Sequence, residues 1–263
     1  MKFTTKLWLG ISLIATALCA NSAFSADHPS NNYPTNLPPS AQLHYTIKAD
    51  RSGLTLAGEA SVNWQLTDAK TYSVTTETRA AIFGKILEAD SQGMIDTYGL
   101  APDQYLEKPR NKPGTTTHFN RETKQITFSA SDDTYPLKGG EQDRTSVVWQ
   151  LVSMARAAPK KFVPKSEWNF FVAGRRDAEK WTFTVDENVT LATPLGNIAT
   201  VHIIKSPPPD SKDQRIDIWL APSLEWYPVR LLFSDADGDT IDQHLDQIKK
   251  DLECNNIIKM MIN

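Results

Sequence analysis

The residue types capable of chemistry are scattered along the chain. His28, His44, His118, His202 and His244 stand far apart, with no H-E-x-x-H pair and no clustered spacing that would suit a metal. His118 precedes Phe119 and His202 lies between Val201 and Ile203, strand-like positions where a histidine satisfies a neighbour rather than an ion. The G-x-S-x-G elbow of a serine hydrolase is absent. Asp235, Asp237, Gly238 and Asp239 resemble half of a calcium loop, but such a loop runs on to a bidentate acid near its twelfth position, and only Asp242 stands close. An Asp-Gly pair between two apolar runs reads better as a hairpin turn. No catalytic residue, metal or cofactor is assigned.

The densest polar cluster is Gln142, Asp143, Arg144 and Ser146. Directly after it Val147, Val148, Leu151, Val152, Met154, Ala155 and Ala158 recur at spacings of three and four, which predicts an amphipathic helix over 143–158 with Asp143 or Thr145 as cap and Pro159 closing it. On this reading Asp143 complements the helix dipole and Arg144 reaches a carboxylate on the sheet. The pair is then a structural anchor.

The rest of the chain reads as strands. Leu54, Leu56, Gly58, Ala60, Val62, Trp64 and Leu66 alternate with Thr55, Ala57, Glu59, Ser61, Asn63 and Gln65 without a slip. At about 3.3 Å per residue that strand spans roughly 43 Å, long enough that it must twist and coil. Further strand signals lie at 43–49, 71–83, 86–98, 115–120 and 124–130, and after the helix at 168–172, 180–186, 197–205, 215–220, 227–234 and 240–248. The fold expected is mainly β: a long-stranded antiparallel meander forming a curved sheet or open half-barrel, with one amphipathic helix packed on it, Val148, Leu151, Val152 and Ala155 inward. A helix of about sixteen residues covers roughly 24 Å and cannot plug strands about 40 Å long. Part of the apolar face stays open, and Leu54, Leu56, Val62, Trp64, Val148, Leu151 and Trp219 are the candidate residues lining it.

The ends of the chain speak of export. Lys2 and Lys6, an apolar run over 7–20 and the small residues Ala23 and Ser25 form a signal peptide over 1–25; the run is too short for a membrane span, and Leu18 spoils a lipoprotein site at Cys19. Its removal takes two lysines from a chain of formal charge −3, leaving an acidic protein with no footprint for nucleic acid. The proline-rich stretch 26–40 reads as a disordered or extended leader, 41–250 as a single β domain, and 251–263 as a tail carrying Cys254, the one cysteine left for the exported protein.

Several local patterns together resemble the uncharacterised family DUF3108, exported proteins of Gram-negative bacteria. They are Ser91, Gly93 and Ile95 followed by Gly99, Leu100 and Pro102; Gln142, Asp143, Arg144 and Ser146; Thr193, Pro194 and Gly196; and Trp219, Leu220, Ala221 and Pro222 with Pro228, Val229 and Arg230. The resemblance implies an envelope protein without a defined activity, built as an open antiparallel sheet loosely similar to the half-barrels that ferry lipoproteins across the periplasm. The function expected is that of a periplasmic, non-enzymatic β protein that holds a hydrophobic ligand (a lipid or acyl chain) or docks an envelope partner. An interaction or scaffold module with a filled core is the alternative, and an envelope hydrolase the weaker one.

Overall fold

The structure is a computed structural model describing residues 28–67, 70–208, 211 and 213–250; the expected export signal at 1–25 and the tail at 251–263 with Cys254 lie outside these residues. The first meander comprises β1 (Ala41–Arg51), β2 (Leu54–Thr67), β3 (Thr71–Ala80), β4 (Gly84–Asp96), β5 (Gly99–Pro109), β6 (Thr115–Asn120), β7 (Gln125–Phe128) and β8 (Ser131–Pro136). A two-residue strand, β9 (Gln142–Asp143), leads into the helix α1 (Ser146–Ala157). The second meander follows as β10 (Glu167–Ala173), β11 (Ala178–Thr193), β12 (Gly196–Lys205), β13 (Arg215–Leu220), β14 (Pro228–Ser234) and β15 (Thr240–Lys250).

All fifteen strands form one sheet in the order β8-β7-β6-β5-β4-β3-β2-β1-β15-β14-β13-β12-β11-β10-β9. The seam is β1 against β15, which zips the first of the described strands to the last. Every neighbouring pair is antiparallel except β9 with β10. The sheet is curved and unclosed: where its two margins approach, side chains rather than a ladder span the gap, as Thr117 Oγ1 donates to the Gly174 carbonyl at 2.7 Å and the Ser131 hydroxyl to that of Arg176.

The unbroken alternation at 54–66 becomes β2, and its apolar parity faces the concave side. β5 has no counterpart among the strands expected from the sequence. Pro102 and Pro109 mask it, and a bulge at Asp103 of β5, opposite the step from Gln92 to Gly93 on β4, shifts its register. That bulge needs glycine, since a Cβ on Gly93 would lie 2.2 Å from the Ala101 carbonyl oxygen.

Residues 28–40 lie in the stretch expected as a disordered or extended leader. They carry no regular structure, but they form a strap across α1 and the strands beside it. Asn36 N donates to the backbone carbonyl and the hydroxyl of Ser153 at 3.0 Å each, Trp64 Nε1 donates to the Pro38 carbonyl, and the Tyr227 hydroxyl to that of Pro39. Tyr33 packs edge-on against Trp168. Prolines lower the entropy lost when such a segment is pinned, so a composition that suggests disorder also suits an extended strap.

Candidate functional site

On the concave side, inward residues change size along each strand. Beneath α1 they are large: Leu43 and Tyr45 on β1, Trp64 on β2, Tyr72 and Val74 on β3, all buried. Toward the other end of the same strands they shrink to Ala49, Gly58, Thr78 and Ala80. α1 lies over the large half through Trp149 and Val148, while its fully buried Leu151, Val152, Met154 and Ala155 pack with Trp168, Phe170, Ile203 and Ile218 of β10 to β13. Among the described residues nothing lies over the small half, which forms an open trough of about 190 Å³ walled by Ile47, Ala49, Leu56, Ala80, Ile86, Phe233 and Ile241. Gly58 is obligatory in its floor, because a Cβ there would meet the Arg79 carbonyl oxygen at 2.5 Å.

The inner end of the trough, past Phe233 and Gln214, is polar, with Arg144, Glu179, Trp181, Lys205 and Asp213 around a smaller recess. The Lys205 ammonium sits 4.7 Å over the Trp181 ring and donates to the Gln214 carbonyl at 3.2 Å; burial lowers its pKa. The charges there are balanced in sign. A wider cleft of about 490 Å³ opens at the opposite end of the sheet, its lining mixing Ala101, Phe119 and Leu137 with Arg121, Lys124 and Glu141.

The helix start is built by Asp143, which is fully buried. Its Oδ1 accepts from the amides of Thr145 and Ser146 at 2.8 Å each, its Oδ2 accepts from the Ser91 hydroxyl at 2.5 Å, and its own amide donates to Ser146 Oγ at 2.9 Å. This is a reciprocal cap reaching across to β4, whose Ser91 is in turn 3.1 Å from the Tyr72 hydroxyl. Burial raises the Asp143 pKa to about 6 against the pull of those donors. Gln150 adds a second staple that the sequence did not signal, accepting from Leu100 N at 2.9 Å and donating to the Tyr98 carbonyl at 2.7 Å.

The candidate residues are thus distributed over different places. Leu56 walls the trough, whereas Leu54 lies beyond it at a hairpin tip, 67% exposed. Val62, Trp64, Val148 and Leu151 belong to the packing beneath the helix, with Trp64 stacked on Trp149. Arg144 does not reach a carboxylate on the sheet: it is exposed, makes no ion pair among the described residues, and lies over Gly174 at the inner end of the trough. Of the two, Asp143 makes the hydrogen bonds that hold the helix start.

Trp219 lies on the convex face, away from any concave site. The inward positions of β13 are taken by Ile216, Ile218 and Leu220, and Trp219 shares its parity with Arg215 and Asp217. Its ring stacks on His202 at 4.3 Å and 1°, with the Arg230 guanidinium 4.5 Å from its centroid. His202 Nε2 lies 2.8 Å from Asp217 and Nδ1 3.2 Å from Asp186, while Arg215 holds Asp217 and Arg230 holds Asp242. This network has no nucleophile, and among the described residues no group of three His, Cys, Asp or Glu is placed to hold a metal ion. Asp235 to Asp239 form the β14–β15 turn, with Gly238 N donating to the Asp235 carbonyl at 3.0 Å.

Among the described residues no helix is long and apolar enough to cross a membrane. No curated protein matches the chain. A solved β-barrel-like protein of the family DUF1849 from Brucella abortus is similar at TM-score 0.54 and 13% identity, covering 82% of this chain and 99% of its own, and establishes a shared fold. More distant likenesses are a candidate outer membrane lipoprotein-sorting domain from Vibrio parahaemolyticus (TM-score 0.31, 7% identity, 82% of this chain and 86% of its own) and a LolA superfamily protein from Nitrosomonas europaea (0.25, 11%, 84% and 91%). The model of a protein family of unknown function, DUF3108, matches residues 42–246, and the chain belongs to that family.

Proposed function

We propose that this is an exported, non-enzymatic envelope protein that holds one acyl chain in the trough at the uncovered end of its concave face. The observation that carries the reading is the change from large to small inward residues on β1, β2 and β3, which leaves apolar surface uncovered between Leu56, Ala49, Ala80 and Phe233. Size narrows the ligand. An apolar cavity of about 150 Å³ holds benzene, and ordinary ligand sites run from about 300 Å³ upward. A trough of about 190 Å³ therefore suits a stretch of a single chain and not a whole diacyl lipid. The walls are mainly apolar, and the charged Asp50, Arg51, Arg79, Asp235 and Asp239 that also line the trough have no serine or cysteine nucleophile among them, which favours holding over turnover.

The test is titration of the mature protein with a fluorescent fatty acid, competed by a lysophospholipid. Saturable binding that is lost in Leu56→Glu and in Ala49→Trp, with both variants folded, is the expected result. No saturable binding, or binding indifferent to Ala49→Trp, overturns the reading and leaves a scaffold with a filled core. Export itself is read out by intact mass, the processed chain expected to begin at Ala26; a lipid on Cys19 at the new terminus would contradict it.

A further inference from the structure

We propose that the rim around the mouth of the trough is a docking surface for a bilayer rich in anionic phospholipid. Seven large hydrophobic side chains are exposed among the described residues, and four of them, Leu54, Ile82, Phe83 and Ile241, stand at this one end of the sheet. Scattered singly, exposed apolar residues need no explanation. Here Ile82 and Phe83, 71% and 51% exposed, are neighbours at the tip of the β3–β4 hairpin, and Leu54 heads β2 at the tip of the β1–β2 hairpin. Projecting tips of this kind can enter the headgroup layer without disturbing the sheet behind them.

The electrostatics point the same way. The end of β5 and the β5–β6 turn after it carry Lys108, Arg110 and Lys112 with no acid between them; all three are exposed and form no ion pair among the described residues. The Arg110 guanidinium lies 5.4 Å from the centroid of the Phe83 ring, so cation and apolar tip are presented together. Other cations of the rim are already paired, Lys85 with Glu77 at 2.6 Å and Arg51 with Asp239 at 3.5 Å. Across the mouth, the β14–β15 turn bears Asp235, Asp237 and Asp239 and is repelled by the same surface. A membrane would therefore meet the β3–β4 and β5–β6 tips first, tilting the mouth toward the lipid. An uncharged protein partner has no use for that asymmetry in a protein that is acidic overall.

Vesicle co-sedimentation of the mature protein tests the proposal, comparing vesicles with about one-third phosphatidylglycerol to pure phosphatidylcholine. Binding is expected to the anionic vesicles, falling at least tenfold in Ile82→Ser/Phe83→Ser and in Lys108→Glu/Arg110→Glu, and weakening in about 0.5 M salt. These side chains are exposed, so both variants should keep the parent's denaturation midpoint. Because none of the four walls the trough, they should also keep fatty-acid binding, which separates this test from that of the trough. No binding to anionic vesicles, or binding equal in parent and both variants, overturns the proposal. So does a parent that self-associates through this patch while the serine variant is monomeric, which would make the rim an interface between copies.

Discussion

The indole rings of Trp64 on β2 and Trp149 on α1 lie 4.6 Å apart and within 9° of parallel, and this stack is the point at which the helix is fixed to the floor of the sheet. Trp64 is wholly buried, and its Nε1 donates to the Pro38 carbonyl at 3.1 Å, so the same residue also holds the strap. Trp64→Ala removes the stack, the hydrogen bond and the packing of Tyr72 against its ring. A loss of about 3 to 5 kcal/mol is expected in chemical denaturation. A loss under about 1 kcal/mol would mean that the helix is not held here.

Asp143 and Arg144, adjacent in sequence, should respond oppositely to alanine. Asp143→Ala leaves two helix amides and the Ser91 hydroxyl without their acceptor in a buried site, and a loss of about 2 to 4 kcal/mol is expected from the cap and the orphaned donors. Arg144→Ala should stay within about 0.5 kcal/mol of the parent, since the guanidinium is exposed and pairs with no carboxylate. A comparable loss in both would restore the ion-paired anchor expected from the sequence.

The pH dependence follows from the same carboxylate. Its pKa is raised to about 6 in the folded protein against 3.8 for the ordinary group, so between these values the native state binds more protons than the unfolded chain. Stability from this group is thus full below about pH 4 and is lost as pH rises through 6, by roughly 3 kcal/mol in all. Burial would also push up Asp217 and Asp242, but hydrogen bonds and ion pairs with His202 and Arg215, and with Arg230 and His244, outweigh it and hold both low. Their contribution is lost as pH falls below the ordinary carboxylate range, which places the stability maximum on the acidic side of neutrality. Denaturation midpoints across pH 4 to 8 check this, and Asp143→Asn should flatten the upper limb. A parent as stable at pH 8 as at pH 5 would contradict it.

What could be read from the sequence was whatever a single parity or period encodes. β2 was visible because thirteen positions alternate without interruption, and α1 because its apolar residues follow three and four; both stand as expected. The helix begins later than the polar cluster suggested, at Ser146, because Asp143 caps from outside. β5 was hidden by two prolines and a register shift, which break the pattern that announces a strand. Trp219 was placed by its residue type, whereas Arg215 and Asp217 on its own parity already assigned it to the face opposite Ile216 and Ile218, where it is buried all the same. The trough itself depends on which strands become neighbours. That Ala49, Gly58 and Ala80 lie side by side follows from β1–β2 and β2–β3 registers that no local pattern states.

The strap gives the remaining prediction, and it bears on how export and folding meet. His28 is the first described residue and would be the third of a chain beginning at Ala26; its imidazole packs 4.1 Å from the Phe171 ring, and its Nε2 lies 3.0 Å from Glu141. From there to Ser40 the segment returns hydrogen bonds to α1 and β2 at Asn36, Pro38 and Ser40. If the segment is pinned, the Asn36 amide exchanges with solvent only when the protein opens, and its protection should fall well above that of the exposed turn at 235–239. Deleting residues 26–37 uncovers the packing of Tyr33 against Trp168 and Phe170 and should lower the denaturation midpoint clearly while the sheet still forms. An unprotected Asn36 amide together with an unchanged midpoint would return these residues to the disordered leader that their composition suggests.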